Sequence, residues 1–465
     1  VWFRRNLRLE DNLPLTQAIK SGGKVLPIFI FDPQILANFP HPYDRRVCFI
    51  ANALERMHQR LQQLGSGMHV FYGKPAEVIT QLAKHLSNMG HEVKAIYADE
   101  DFEPANIERD QQVAKYTGID LRLFCDHLLL RPGAVLNASC APFKVFTPFS
   151  KAFIAKLLES KPTEYGVNLL PDCFFKITQA QELPLVDFSC SQQMLENIGY
   201  EYRVEDLWKA DHMEAEFNNF LKSKLSSYKE QRDFLGAEGT SRISPYLRFG
   251  LISIRKCFLN SYDQPGSQMW VNELLWREFY ANVLFHFPRI VNEEFLQAYV
   301  GTIPWRRDSA LLARLEDGAT GFPIIDSAMN QLRQEGWMHN RARMIVASFA
   351  SKNLLLDWRL GDKLFAKYLM DYDLASNVGG WQWSASCGTD AQPYFRIFNP
   401  FLQSMKFDPQ GVYIKKYLPS LSKVSAEHIH ESSIINMYHP DLGYPEEIVD
   451  YKASRDFAIK TFSLK

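Results

Sequence analysis

Four short stretches set ionisable side chains among large aromatic rings at helical spacing. Glu273, Trp276, Arg277 and Tyr280 stand at i, i+3, i+4 and i+7, so a helix there presents a carboxylate, an indole, a guanidinium and a phenol on one face. Burying that set without partners is costly, so the face is expected to line a cleft; the plain alternative is an i,i+4 ion pair on a solvated face. Trp337, Asn340, Arg341 and Met344 repeat the spacing, with Arg343 three residues beyond Asn340. Such a stripe makes a poor core and a good binding wall, while His339 reads as structural. Asp371, Asp373 and Asn377 precede Gly379, Gly380, Trp381 and Trp383. The glycine pair is expected to loosen a helix there, and the acids would otherwise simply complement its dipole. Finally, Thr240, Ser241, Arg242 and Ser244 lead into Pro245, a helix-start signal whose free N–H groups, beside Arg242, suit a phosphate unless they form an ordinary cap. Seven of the nine tryptophans (270, 276, 305, 337, 358, 381 and 383) lie in this part of the chain, although core filling explains any single one.

The elements that position these residues follow from periodicity. Apolar runs at 1–3, 25–31, 69–72, 94–98 and 121–124 alternate with longer helical patterns, the clearest at 44–64, where Val47, Ile50, Leu54, Met57 and Leu61 recur every three or four residues. Five strands so joined predict a doubly wound, mostly parallel sheet. No G-x-G-x-x-G follows the first strand, so a standard dinucleotide site is not expected there. Residues 126–195 lose periodicity and carry six prolines, which predicts a long connector wrapped on the surface. Beyond residue 196, helical patterns follow one another. The fold class is therefore α/β plus all-α, divided as 1–128, a connector at 129–195, and 196–465.

Composition narrows the classes of function. The 465 residues are too many for one module, and 46% hydrophobic with 23% charged residues describes a packed chain rather than a disordered one. A formal net charge of −1 gives no global argument for nucleic acid, leaving only a local basic face. No apolar run reaches the ~18 residues of a membrane span. The seven cysteines are scattered and lack C-x-x-C spacing, so neither a disulfide framework nor a metal site is expected, and a reducing, cytoplasmic compartment fits. The chain already reads as a strand at Val1, so leading residues are expected to precede it, and no signal peptide is visible.

Read in order, WFRRNLRLEDN at 2–12, KVFTPF at 144–149, QRDF at 231–234, EGTSR at 238–242, WREFY at 276–280, GWMHNR at 336–341, GWQW at 380–383 and YFRIFNP at 394–400 resemble the photolyase and cryptochrome flavoproteins, most of all bacterial class I cyclobutane pyrimidine dimer photolyases. The similarity runs from the first residue to beyond 440. It implies an antenna domain, a connector and a helical FAD domain. It implies that Tyr228 and Thr240 to Ser244 hold the flavin's ribityl-phosphate region, that Arg343 and Asp371 pair over the isoalloxazine, that Asp373 contacts ribose or ring, and that Asn377 faces N5. Trp270, Arg277, Trp337 and Asn340 join this FAD set. Trp381, Trp358 and Trp305 match an electron-hopping chain that photoreduces the flavin.

The same resemblance implies a lesion pocket of Glu273, Trp276, Asn340, Arg341, Met344, Trp383 and Arg396. The two indoles would flank the flipped bases, Glu273 would hold their polar edge, and Arg232, Arg341 and Arg396, with Lys406 as a looser candidate, would meet phosphates. The implied activity is DNA repair: excited FADH⁻ lends an electron to a pyrimidine dimer in UV-damaged DNA and recovers it, without metal, in a monomer that associates with the bacterial nucleoid when bound to damage. Six-four photolyases carry histidines where Asn340 and Met344 stand, so that activity is not expected. A cryptochrome photoreceptor is the alternative; it commonly loses part of the pocket kept here and carries a long tail. A cofactor-free helical interaction module would leave the clusters incidental. At the antenna site folate, a deazaflavin, another flavin and an empty site all stay open: His41 roughly matches a folate contact, but the expected Asn-Glu pair is replaced at Glu103 to Asn106.

Overall fold

The computed structural model describes residues 1–177, 183–187, 190–203 and 208–463. Its contacts divide the chain into two units interleaved in sequence, one of 1–135, 152–222 and 241–264, the other of 136–151, 223–240 and 265 onward.

The first unit is built on a parallel sheet. Strands β1 (Ile28–Phe31) and β2 (His69–Tyr72) pair with Ile28 opposite His69, and β3 (Ala95–Asp99) and β4 (Asp120–Phe124) pair with Ala95 opposite Asp120. Trp2 bridges Ile28 on one side and Ala98 on the other, both parallel, which joins the two pairs in the order β2, β1, Trp2, β3, β4. The expected first strand at 1–3 is thus a central one reduced to a single bridge. Its neighbour cuts it short, because Arg4 turns away from the ladder to pair with Asp110 at 2.6 Å. β1 is buried along its whole length, as an interior parallel strand must be. Helix α1 spans Leu13–Lys20, α2 Arg45–Gln63, α3 Pro75–Asn88 and α4 Pro104–Thr117. For α2 the predicted range holds almost to the residue, because Asp44 accepts from the Arg46 N–H as N-cap and Val47, Leu54, Met57 and Leu61 face the core.

The connector departs from the expected surface wrap. It contains a helix, α5 (Phe146–Glu159), with Phe149, Phe153 and Leu157 buried. It also extends the sheet: Val186 donates to Val70 O at 2.8 Å, and Phe174 forms a bridge with Val25. Prolines hid both features by interrupting the pattern without preventing the pairing.

Beyond residue 196 the described residues contain no strand. In the second unit, helix α10 (Leu374–Ser384) packs against α6 (Gln268–His286), α8 (Asn340–Ser348) and α9 (Trp358–Tyr368), with α7 (Pro323–Glu335) beside α8. Two glycines allow the close packing. A Cβ at Gly379 would lie 2.2 Å from the Tyr280 ring, and one at Gly361 would lie 2.2 Å from the Trp381 indole. Gly379 and Gly380 therefore do not loosen α10, which runs unbroken through both; Gly379 admits α6. No helix of the described residues is long and apolar enough to cross a membrane.

Candidate functional site

Three of the four clusters read from the sequence lie on or beside α6, α8 and α10 of the second unit. On α6, Glu273 does not pair with its neighbour at i+4. It forms an ion pair with Arg232, 41 residues earlier, which follows the short helix Tyr228–Gln231. Burial pushes the Glu273 carboxyl up from its ordinary value, and the Arg232 guanidinium only partly opposes this. Trp276 lies flat against Phe146, with ring centroids 3.8 Å apart and planes 6° apart, so a further planar group has access only to its other face. Tyr228 is buried beneath the Arg232 guanidinium, 5.8 Å from its ring, and its phenol is pushed well up by desolvation. Trp270 is buried on the same helix, and Arg277 lies 3.9 Å from Glu278.

The stripe expected on the second helix is only partly there. Trp337 precedes α8 and is buried, because Gly336 ends α7 in a left-handed turn and the helix restarts only at Asn340. His339 caps that restart: its Nδ1 accepts from the Arg341 N–H at 3.1 Å, and burial lowers its pKa to about 4, keeping the imidazole neutral. Asn340 is exposed, and Arg341 pairs with Asp233 at 2.7 Å and rests 3.8 Å from Met344 Sδ. Arg343 donates through Nη2 to both Asp371 oxygens at 3.0 and 2.8 Å, while its Nε donates to Met338 O.

Asp373 is the N-cap of α10, accepting from the Ser376 N–H at 3.0 Å. Asn377 donates from Nδ2 to Asp362 Oδ1 at 2.6 Å, and burial raises the Asp362 carboxyl to about 6. That bond fixes the amide with its carbonyl oxygen free of the Asp362 contact. Trp383 and Arg396 are half-buried and their side chains have no ring, hydrogen-bond or ion-pair partner among the described residues, and exposed Lys406 lies over Phe407. Trp358 and Trp381 are buried and Trp305 is half-buried. Thr240 ends a segment of the second unit, whereas Ser241, Arg242 and Ser244 open one of the first. There the helix starts at Ser244 itself with Ile243 as N-cap, so the serine is not the cap its Ser-Pro sequence suggested. Arg242 sits at φ 51° with its guanidinium over Trp208. In the sheet unit His41 Nε2 lies 2.8 Å from Gly199 O.

Sequence reasoning missed Asp233, Glu294, Asp362 and Phe146. Each acts through a partner distant in sequence, and only the occurrence of Asp233 and Phe146 inside the QRDF and KVFTPF words marked them at all.

A flavin fits the residues present. Asp373, Asn377 and Gly380 occupy i, i+4 and i+7 of α10, and all three are half-buried. A Cβ at Gly380 would meet nothing within 4 Å, so this face is open where the Gly379 face is packed tight. An open polar stripe beside the Arg343–Asp371 pair offers an acceptor, a cation and two carboxylates to a heterocycle with both donor and acceptor edges.

The comparisons agree with that geometry. A family model described as the FAD binding domain of DNA photolyase matches residues 270–464, and one described as DNA photolyase matches 1–166. A deoxyribodipyrimidine photo-lyase of Alkalihalophilus pseudofirmus is 36% identical, covering 99% of this chain and 97% of the relative. The fold matches an archaeal photolyase of Sulfolobus tokodaii with two FAD molecules at TM-score 0.82 and 30% identity, over 99% of this chain and 98% of that one. It matches a Synechocystis cryptochrome at TM-score 0.84 and 26% identity, over 99% and 98%. On matches that span both units, the chain belongs to the DNA photolyase family.

Proposed function

We propose that this protein is a light-dependent lyase that binds FAD in its helical unit and splits cyclobutane pyrimidine dimers in UV-damaged DNA. Full-length similarity to deoxyribodipyrimidine photo-lyases supports the activity. The observation that carries the site is the half-buried Glu273 carboxylate on one helix face with Trp276, held by Arg232. Bound as FADH⁻, the cofactor supplies on illumination the electron that opens the cyclobutane ring and recovers it afterwards.

The chain's own residues bind and orient. Trp276 offers one indole face to a flipped base, and Trp383 a second plane. Glu273, with its raised pKa, holds a proton more readily than an ordinary carboxyl; it can donate to a pyrimidine carbonyl or accept from the adjacent N–H. Asn340 and Met344 complete the wall, and Arg232, Arg341 and Arg396 meet phosphates, positioning DNA without reading sequence. Tyr228, Thr240, Trp270, Arg277, Trp337, Arg343, Asp371, Asp373 and Asn377 are assigned to the flavin, with the Asn377 oxygen toward N5. Ser241, Arg242 and Ser244 are assigned to its phosphates, and Trp381, Trp358 and Trp305 to its photoreduction. In chain order, 1–128 is the antenna domain, 129–195 the connector and 196–465 the catalytic domain. We further propose a monomer that acts in the cytoplasm at nucleoid DNA.

The test is repair of a thymine-dimer oligonucleotide by the purified, reduced protein in blue light against a dark control, after its absorption spectrum is recorded. Light-dependent loss of dimers establishes the reading, and an extra absorbance band identifies the antenna pigment. Bound FAD without repair would move the assignment to a cryptochrome.

A further inference from the structure

The three tryptophans assigned to photoreduction are not equivalent, and one buried carboxylate makes the difference. Glu294 is 1% exposed. Its Oε1 accepts from Trp305 Nε1 at 3.0 Å, from Trp358 Nε1 at 3.3 Å, and from Arg359 Nη2 at 3.2 Å. A single oxygen thus ties two indoles together. Trp381 is as deeply buried, yet its Nε1 has no hydrogen-bond partner among the described residues; its ring rests over Gly361 and edge-on to Phe365 at 4.9 Å.

We propose that Glu294 is the positioning residue of this series: its carboxylate draws positive charge outward from Trp381 to Trp358 and Trp305, and receives the indole proton at the end. This rests on the reading of Trp381, Trp358 and Trp305 as an electron-hopping chain. Removing an electron from an indole leaves a cation whose N–H is acidic. An anion hydrogen-bonded to that N–H stabilises the cation strongly in a site of low polarity, and an unpaired N–H gains nothing. The hole is therefore more stable at Trp358 and Trp305 than at Trp381.

Arg359 offsets Glu294 most at Trp358, where its guanidinium lies over the ring at 4.6 Å, so the pull is strongest at Trp305, whose bond to Glu294 is also the shorter. Arg359 in turn donates to Asp357 at 2.9 Å, and Asp357 is itself buried. Arg307, which pairs with Asp357 at 3.2 Å, is largely exposed and screened by water. Arg289 donates to the Glu294 main-chain oxygen at 2.7 Å. Lys352 is a further nearby cation. It lies 3.8 Å from the Phe462 ring, and that ring stands 5.8 Å from Trp305, edge to face. Cys387 is held protonated by burial and by the Glu294 charge, so it adds no second anion.

Trp381 gives one electron to the photoexcited, oxidised flavin, Trp358 refills Trp381, and Trp305 refills Trp358. The Trp305 N–H bond then breaks, its proton forms an O–H bond at Glu294, and a neutral indole radical remains until an added thiol, oxidised to its thiyl radical, returns an electron and Glu294 returns the proton to the indole nitrogen.

Transient absorption of the FAD-loaded protein distinguishes the indole radical cation from its deprotonated form. In the wild type, loss of the cation should not depend on buffer concentration. In Glu294→Gln, with FAD content and near-ultraviolet circular dichroism matching the wild type, the terminal cation should live about tenfold longer and charge should return more often to Trp381, the effect of removing a charge-assisted hydrogen bond. Glu294→Asp, which keeps the charge at longer reach, should fall between the two and gives the same reading if the glutamine variant does not fold. Wild-type decay in both variants, or a wild-type decay set by buffer, overturns the proposal. If Trp381→Phe abolishes photoreduction and Glu294→Gln decays as wild type, only Glu294 is misassigned. If Trp381→Phe photoreduces normally, the chain itself is wrong and the proposal falls with it.

Discussion

Each unit holds a cluster of arginines and carboxylates, and the two clusters differ in what is left for a ligand to do. In the sheet unit, Arg8 and Arg255 meet Asp11 and Asp126 at 2.6 to 2.9 Å with every side chain under 8% exposed. The surplus bonding capacity is used internally: Asp126 accepts from the Leu13 N–H, Ser253 donates to Asp11, and Arg8 donates to Gly250 O. In the helical unit, Arg232 lies between Glu273 and Asp233, Arg341 pairs with the same Asp233, and Arg343 pairs with Asp371, all mostly part-exposed. The first cluster is a closed structural knot, costly to break. The second is a set of arginines parked on carboxylates that a phosphate or a base edge can replace, at the small cost of a part-exposed ion pair.

Breaking the knot should give the largest effect. Asp126→Ala leaves two buried guanidinium groups short of a partner, and denaturant unfolding should show a loss of about 3–5 kcal/mol. Next comes acid. His339 caps α8 only when neutral, and burial lowers its pKa to about 4 from 6.5, so the unfolded chain binds the proton first. Its contribution is therefore complete above pH 6.5 and is lost as pH falls toward 4, by up to about 3 kcal/mol. His339→Asn, a cap that does not titrate, should flatten that slope in unfolding midpoints taken between pH 4 and 7. In the open cluster, Glu273→Gln should slow repair about ten- to hundredfold while leaving unfolding nearly unchanged, as measured on the reduced protein with a dimer-containing strand. The smallest effect sharpens the comparison most. Asp233→Asn frees Arg341 and should tighten binding to undamaged DNA by about two- to fivefold in a filter or polarisation assay, with a steeper salt dependence. Weaker binding would mean that Asp233 holds Arg341 in place rather than in reserve.

What the sequence made legible was local. The α2 range followed from Asp44 and a three-to-four residue apolar repeat, and β2 stands at the predicted run 69–72. The face shared by Glu273 and Trp276 followed from spacing alone. Spacing failed where a neighbour far along the chain decided the outcome. Glycine at 379 signals flexibility in a one-dimensional reading and close packing once Tyr280 is known. Trp337 kept helical spacing with Asn340, but Gly336 had already broken the helix. Glu294, Asp233 and Asp362 sit in no periodic pattern, since an acid is chosen there by the cation or N–H that arrives from another helix.

The knot also sets a timetable. Arg255 lies 129 residues beyond Asp126, across two segments that belong to the other unit. On a ribosome adding ~5–20 residues per second, Asp126 waits on the order of 10 s for its second guanidinium, and Asp11 longer for the one its carboxylate has. During that interval Asp126 has only Arg8 to pair with, and the Asp11 carboxylate lacks its guanidinium. The N-terminal half of this enzyme is thus translated first and finished late, and a fragment ending at 135 would be born without its keystone.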